Sequence, residues 1–472
     1  MSESKTIFKN PIFNLIVIIS CIISTALLAI DNNPLYGRVA LLPFSYALVY
    51  LFVMLMMPEI VYRNIGFAVY FGQSIIKCVI APLFLYLGDY TSFFGGLNID
   101  FISRAVFLLI YENVVCTLVI GFSAKKGKAI GEVRRKESSF YFKSGSIVFL
   151  MSVLMVAMWF AVPDIKNNFV TAFDMFSSQQ IFLGYDYTSI NAVGTLNRVI
   201  ITLFLVLFKS FRIILPFYLI RTLKEKYNSF LSFVVSILII LLQFLFISET
   251  IAMALVVACI LLSYMLNAYP QYKRSIIVVM TASFAFAVFV LSLNFDYMAK
   301  WYNVDNTTEY ISQVLQAYVP GVCNTASIFR VEETSRITTL IDTLMSTIPF
   351  QSTLFGSMTF DNNLNNLFTS TDGLNAQIVS TIAGGWYIFG FALAPIFSAI
   401  FTRISMINGY KYSNSKNNFD RLLYLFMCIQ TMLGIGVYNI QTTITLWIQI
   451  GFVLWLFSKL TNQGNSSTDN ML

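Results

Sequence analysis

Apolar runs of about 20 residues, separated by short polar breaks, recur along the whole chain. A helix of that length crosses the roughly 30 Å hydrocarbon layer of a bilayer. Twelve spans are predicted, at 11–30, 40–57, 65–87, 101–122, 145–162, 199–220, 230–248, 250–268, 275–295, 376–401, 421–440 and 443–460. Phe230–Tyr269 is nearly continuous and too long for one crossing, so a tight turn is expected near Ser248–Thr250. The same reasoning divides 421–460 near Asn439–Thr442. Two long breaks stand out, about 163–198 and 296–375. A structureless loop of about 80 residues is rare. Within the second break, Thr308–Val319 and Thr334–Ile348 carry apolar residues at helical spacing. They predict short amphipathic helices lying on the membrane surface and roofing a cavity.

Composition fits this pattern. Of the 472 residues, 57% are hydrophobic and only 11% charged, against about 25% charged in soluble proteins. The expectation is an all-α, polytopic transmembrane helix bundle forming one membrane domain over 1–472, with a large loop at 296–375 between spans nine and ten. The first run is longer than a signal-peptide core and no small-x-small site follows it, so it reads as a retained helix. The polar tail 461–472 is expected to be disordered.

Charge sets the expected orientation. With the N-terminus inside, 20 of the 30 Lys and Arg residues fall in or beside inner segments and six in outer ones. This positive-inside bias puts both termini in the cytoplasm and the two long loops outside. Moving the count by one helix puts the basic run Lys125–Lys143 outside, against the rule. The net charge of +7 therefore belongs to cytoplasmic loops and implies no nucleic-acid partner.

The chain has no histidine, which excludes Ser-His-Asp and Cys-His nucleophile systems and His-ligated zinc. Five of the six cysteines lie in apolar spans and Cys323 lies in the large loop without a partner there, so neither a disulfide framework nor a metal site is expected.

Ionisable residues inside spans are costly unless paired or wetted. Lys77 and Glu112 fall at similar depth on successive helices and are expected to pair, as a structural ion pair fixing helix packing or as part of a site. Lys209 and Arg212 stand at i, i+3 with no acid on their span; they either face an anionic ligand in a wet cavity or pair with an acid elsewhere, such as Glu249. Arg104, near its helix end, either snorkels or joins a site. In the large loop Arg330 and Arg336 lie close to Glu332 and Glu333, and Arg198 stands at the mouth of the sixth span. Diphosphate is the membrane-borne anion that such cations suit. Trp301 and Tyr318, among other loop aromatics, offer faces for sugar rings.

One stretch resembles a known family. Tyr318-Val-Pro-Gly321 with Asn324, Ser346-Thr-Ile-Pro349 and Asn375-Ala-Gln-Ile378 lead into Gly384-Gly-Trp-Tyr-Ile-Phe-Gly390 and Phe391-Ala-Leu-Ala-Pro-Ile-Phe397. This resembles the bacterial oligosaccharide repeat-unit polymerases, the O-antigen and capsule polymerases of the Wzy type. Many relatives carry Ser-Arg where the eighth span begins; this chain has Ser248-Glu249. The resemblance implies a GT-C-like fold of about twelve helices in the bacterial cytoplasmic membrane. It implies a glycosyltransferase that needs no cofactor. Its substrate is an undecaprenyl-diphosphate-linked oligosaccharide, its surroundings are membrane lipids, and a chain-length regulator is a further partner to expect. For that chemistry Arg212, Arg330 and Arg336 are the expected diphosphate ligands, with Lys209 and Arg198 assisting and Tyr318 and Trp301 on the sugars. Glu249 and Glu333 are the candidate bases. Two other classes remain open: a lipid-linked oligosaccharide flippase, and a polyprenyl-phosphate-sugar glycosyltransferase or glycan ligase.

Overall fold

The computed structural model describes residues 10–31, 33–88, 98–130, 143–168, 170–171, 194–244, 246–247, 251–282, 306–319, 321–332, 334–349, 360–371, 378–415 and 417–461. Among them eight helices are long and apolar enough to cross a bilayer. They are α1 (Pro11–Ile30), α2 (Pro34–Met56), α3 (Ile65–Leu87), α4 (Ile99–Ala129), α5 (Ser144–Ala161) and α6 (Leu196–Lys226), with two more near the end of the chain. Two shorter apolar helices follow α6: α7 (Ser229–Leu241) and α8 (Ile251–Ala268). Next come four short helices from the long loop: α9 (Thr307–Tyr318), α10 (Val322–Ser327), α11 (Arg336–Met345) and α12 (Leu364–Thr369). The chain closes with α13 (Thr381–Phe389), α14 (Ile396–Asn414) and the remaining long helices, α15 (Asn418–Gly436) and α16 (Ile440–Leu460). Among the described residues the regular structure is helical apart from one two-residue antiparallel pairing, Val170–Thr171 with Phe246–Ile247.

Asparagine is the recurrent start signal. Asn10, Asn33, Asn64, Asn98, Asn228, Asn306, Asn363, Asn417 and Asn439 each open a helix, and each side-chain oxygen accepts a first-turn N–H. Each cap contributes about 1 kcal/mol by satisfying a donor that the helix leaves open. Asn439 does so with Thr442, so the 421–460 run divides where length reasoning put the break.

The bundle has apolar side chains both inside and outside, with its small polar residues turned inward. Ile16, Ile19, Leu48, Phe149 and Phe160 are exposed, whereas Ser24, Ser232, Ser398, Thr402, Ser405 and Gln430 are fully buried. Surrounding lipid explains the exposed side chains, because in lipid the helices gain by sharing polar contacts with each other. Packing of α14 on α15 is the most extensive contact between helices. Ser398, Thr402 and Ser405, at i, i+4 and i+7, form one buried face of α14, and Ser405 donates to the Cys428 carbonyl at 2.6 Å. Asn64 reaches across from α3 to the Met406 carbonyl at 2.9 Å.

Three expectations need correction or limits. The span expected at 376–401 is not one helix. It ends at Phe389, turns through Gly390, whose φ is +77°, and restarts as α14 at Ile396. Pro395 lacks the N–H that a continuing helix requires. Residue 230 onward leaves α-helical geometry at Leu242, earlier than the expected turn. Of the ninth span only residues up to 282 are described; the rest of it, the tail beyond 461 and most of 163–198 lie outside the described residues.

Candidate functional site

Two polar regions stand out, one in the middle of the bundle and one where the long-loop helices meet it. The first is built on α3 and α4. Lys77 lies in a single π-helical turn, Ile76–Ile80, within α3. Its ammonium nitrogen lies 2.5 Å from Glu112 Oε2, and both side chains are buried. Lys77 also donates to the Ile435 carbonyl at 3.2 Å. Ser398 Oγ donates to the other Glu112 oxygen at 2.5 Å. Ser398 lies in the first turn of α14, so a carboxylate stands where the helix dipole favours negative charge. Gln73, one turn before Lys77, donates to the Met432 carbonyl at 2.9 Å. Tyr70 donates to Asn113 Oδ1 beside it. A small hollow opens among Tyr70, Gln73, Lys77, Glu112 and Asn113, with room for about one water molecule.

The other cations in the spans face different neighbours. Lys209 donates to Gln449 Oε1 at 3.2 Å. Gln449 lies in a second π-helical turn, Trp447–Gly451, of α16. Arg212, three residues on, is buried; it donates to the Gln243 carbonyl at 3.3 Å and stacks over Phe208. That carbonyl stands where α7 gives way to a 3-10 turn, so Arg212 caps backbone that the helix end leaves open. Arg198 is half-buried in the first turn of α6. None of Lys209, Arg212, Arg330 and Arg336 lines the hollow at Lys77.

The second region gathers arginines at the end of the bundle that carries the long-loop helices, here termed the loop end. Arg104, exposed on α4, sits over the Phe329 ring at 5.7 Å. Phe329 meets Trp386 of α13 edge-on at 4.5 Å. Arg330, the next residue, is half-buried. Glu332 and Thr334 are each fastened to α13 by Tyr387. Its hydroxyl donates to the Glu332 carbonyl at 2.7 Å and accepts from the Thr334 N–H at 3.0 Å. Arg336 then opens α11, and its guanidinium lies where a Cβ on Gly390 would be 3.7 Å away. Arg104, by way of Phe329, and Arg336, beside Gly390, thus stand around the end of α13, and Arg330 follows Phe329 in the chain. That helix end presents carbonyls, which favour cations. Among the described residues neither Arg104 nor Arg336 enters an ion pair.

Below them, α10 is wholly buried against the bundle. Asn324 donates to the Ile378 carbonyl at 2.8 Å, and Thr325 bonds Ser380 at 2.9 Å. Gly385 lets α13 meet its own return turn: a Cβ there would stand 2.0 Å from the Ala394 carbonyl oxygen.

The structure therefore brings Lys77 to Glu112 and sets Arg330 and Arg336 on either side of the Glu332 and Thr334 backbone that Tyr387 holds, while Lys209 meets Gln449 and Arg212 meets the Gln243 carbonyl. Glu249, Glu333 and Trp301 lie outside the described residues, as does the side chain of Tyr318, whose backbone ends α9. Sequence reasoning missed the part played by Ser398, Gln73 and Tyr387. Small polar residues spaced along the apolar run 396–406 were the available signal for the first. Comparison with protein-family models, curated proteins and solved structures found no match.

Proposed function

We propose that this protein is a membrane glycosyltransferase. In this reading it polymerises polyprenyl-diphosphate-linked repeat units at the outer face of the bacterial cytoplasmic membrane. The loop end is taken as the outer face, with twelve spans and both termini inside, as the charge bias predicts. The observation that carries the reading is the approach of Arg104 and Arg336 to one end of α13, by way of Phe329 and Gly390, with Arg330 next in the chain to Phe329. In the reaction the bond between the sugar and its diphosphate breaks, and a bond to the acceptor hydroxyl oxygen forms. The acceptor proton passes to a carboxylate or to the departing diphosphate. Arginine forks suit the developing charge because they bind phosphate oxygens bidentately. Glu249 and Glu333 keep the proposed role of base, and Arg330 and Arg336 that of diphosphate ligands. Lys209 and Arg212 have protein partners that account for their positions, so they support the frame behind the site.

The size ladder of surface polysaccharide tests this. Loss of the protein is expected to leave single repeat units on the outer face, and Arg330→Ala or Arg336→Ala to shorten or abolish the ladder. Variants that insert normally and still make full-length polymer would overturn the assignment. A second reading, a transporter of the same lipid-linked units, is favoured by the break between α13 and α14 beside a buried ion pair. Discontinuous helices beside charged groups are a transporter device. It predicts accumulation of the units on the inner face instead.

A further inference from the structure

Helix α11 is amphipathic the wrong way round for a surface in water. Its buried face is polar: Thr339 and Thr343 are 0% exposed and Asp342 is 8% exposed. All three are matched. The Asn362 N–H donates to Asp342 at 3.1 Å, the Leu364 N–H donates to Thr343 at 3.1 Å, and Thr339 bonds Thr334 at 2.9 Å. Its outward face is apolar: Ile337, Ile341 and Leu344, at i, i+4 and i+7, are 73%, 51% and 40% exposed. Besides these, only Arg336 and Thr338 of α11 are exposed, so no carboxylate of the helix faces outward.

The neighbouring surface has the same character. Arg336 lies beside Gly390. From there the chain passes through exposed Phe391, stacked on Tyr111 of α4, to exposed Leu393. Phe107, one turn before Tyr111, is exposed as well. The apolar stripe of α11 thus continues into the lipid-facing flank of a spanning helix. Exposed Arg104 stands at the same end.

We infer that α11 is seated in the bilayer, its Ile337–Ile341–Leu344 face in the acyl boundary of the leaflet at the loop end and Arg336 and Arg104 at the level of the lipid phosphates. An apolar stripe with no carboxylate of its own facing out, ending in Arg336 and flanked by Arg104, matches a phosphate-bearing lipid surface, and the exposed Asp100 and Glu332 lie off the stripe, on the neighbouring α4 and before α11. The bound face is the opposite of the one that a soluble loop helix would bury, because the polar face has already been used against the protein. This inference is independent of the proposed reaction: it concerns where the loop rests, whatever the arginines bind.

The test uses the full chain in phospholipid vesicles. Exposed Cys259 is first replaced by serine, and a bimane probe is attached at Ile341→Cys. Asn366→Cys, at an exposed position of α12, serves as the aqueous control. A seated helix gives blue-shifted emission from Ile341→Cys. A nitroxide near the lipid head group should quench it about two-fold more than one near the chain end, given insertion of only 5–10 Å. The water-soluble nickel chelate should quench Asn366→Cys and spare Ile341→Cys. Quenching of Ile341→Cys by nickel and not by lipid nitroxide overturns the inference. So does protection from both quenchers together with cross-linking between copies, which assigns the face to a second chain. Leu344→Cys repeats the measurement should Ile341→Cys insert poorly.

Discussion

Replacing one member of the Lys77–Glu112 pair is expected to damage the bundle far more than replacing both. At 2.5 Å two unit charges attract by about 7 kcal/mol at an effective dielectric of about 20. Removing each ion from water costs several kcal/mol, so the intact pair nets close to zero. Lys77→Met alone leaves Glu112 buried with only Ser398 to answer it, and Glu112→Leu alone leaves the Lys77 ammonium with only the Ile435 carbonyl. Each single change is expected to cost about 3–5 kcal/mol, the typical loss on orphaning a buried charge. The double variant Lys77→Met/Glu112→Leu strands only neutral groups, at about 1 kcal/mol each, for a total near 2 kcal/mol. Unfolding in mixed detergent micelles, run as a double-mutant cycle, measures all four corners. Additive losses, with the double variant about 6–10 kcal/mol below the parent, would refute the reasoning, since independent sites add.

Three further outcomes are expected. Gly385→Ala sets a methyl group 2.0 Å from a backbone oxygen of the return turn, so thermal denaturation should show a loss of at least about 1–3 kcal/mol; Gly72→Ala, with open space around it, should gain up to about 1 kcal/mol instead. Gly390→Ala keeps its space but not its backbone: at φ +77° a side chain costs about 1–2 kcal/mol, visible in the same assay. Burial pushes the Cys323 thiol above its ordinary value of 9.0. A thiol raised in the folded state stays protonated while the unfolded one ionises, so docking of α10 should weaken as pH rises past about 9; a water-soluble maleimide should label Cys323 slowly at neutral pH and faster than a free thiol's titration predicts above it.

The sequence made the spanning helices legible because lipid imposes a length and a composition that few other environments impose. Asparagine caps carry finer information than hydropathy does: Asn64, Asn98 and Asn417 each stand directly before a helix start. Pairing of Lys77 with Glu112 was legible for a related reason, since mid-depth charges on neighbouring helices have few alternatives. What escaped was geometry that depends on contacts between distant segments. Hydropathy runs smoothly across Gly390–Pro395, so the break between α13 and α14 left no mark except the glycine and the proline. The contacts of Lys209 with α16 and of Arg212 with the end of α7 likewise join segments far apart in the chain. A helical face is wide enough to touch two neighbours, and spacing alone does not say which.

The π-helical turn at Ile76–Ile80 gives α3 one residue more than an ideal helix would need over the same height. Each residue turns a regular helix by about 100°, so the same residues wound without the wide turn would carry one half of α3 round by about that angle, and either the Gln73 end or the Leu85 end would leave its seat. The wide turn takes up the surplus residue in place, like a pleat in cloth. Winding it into regular helix without removing a residue would cost the bundle its alignment.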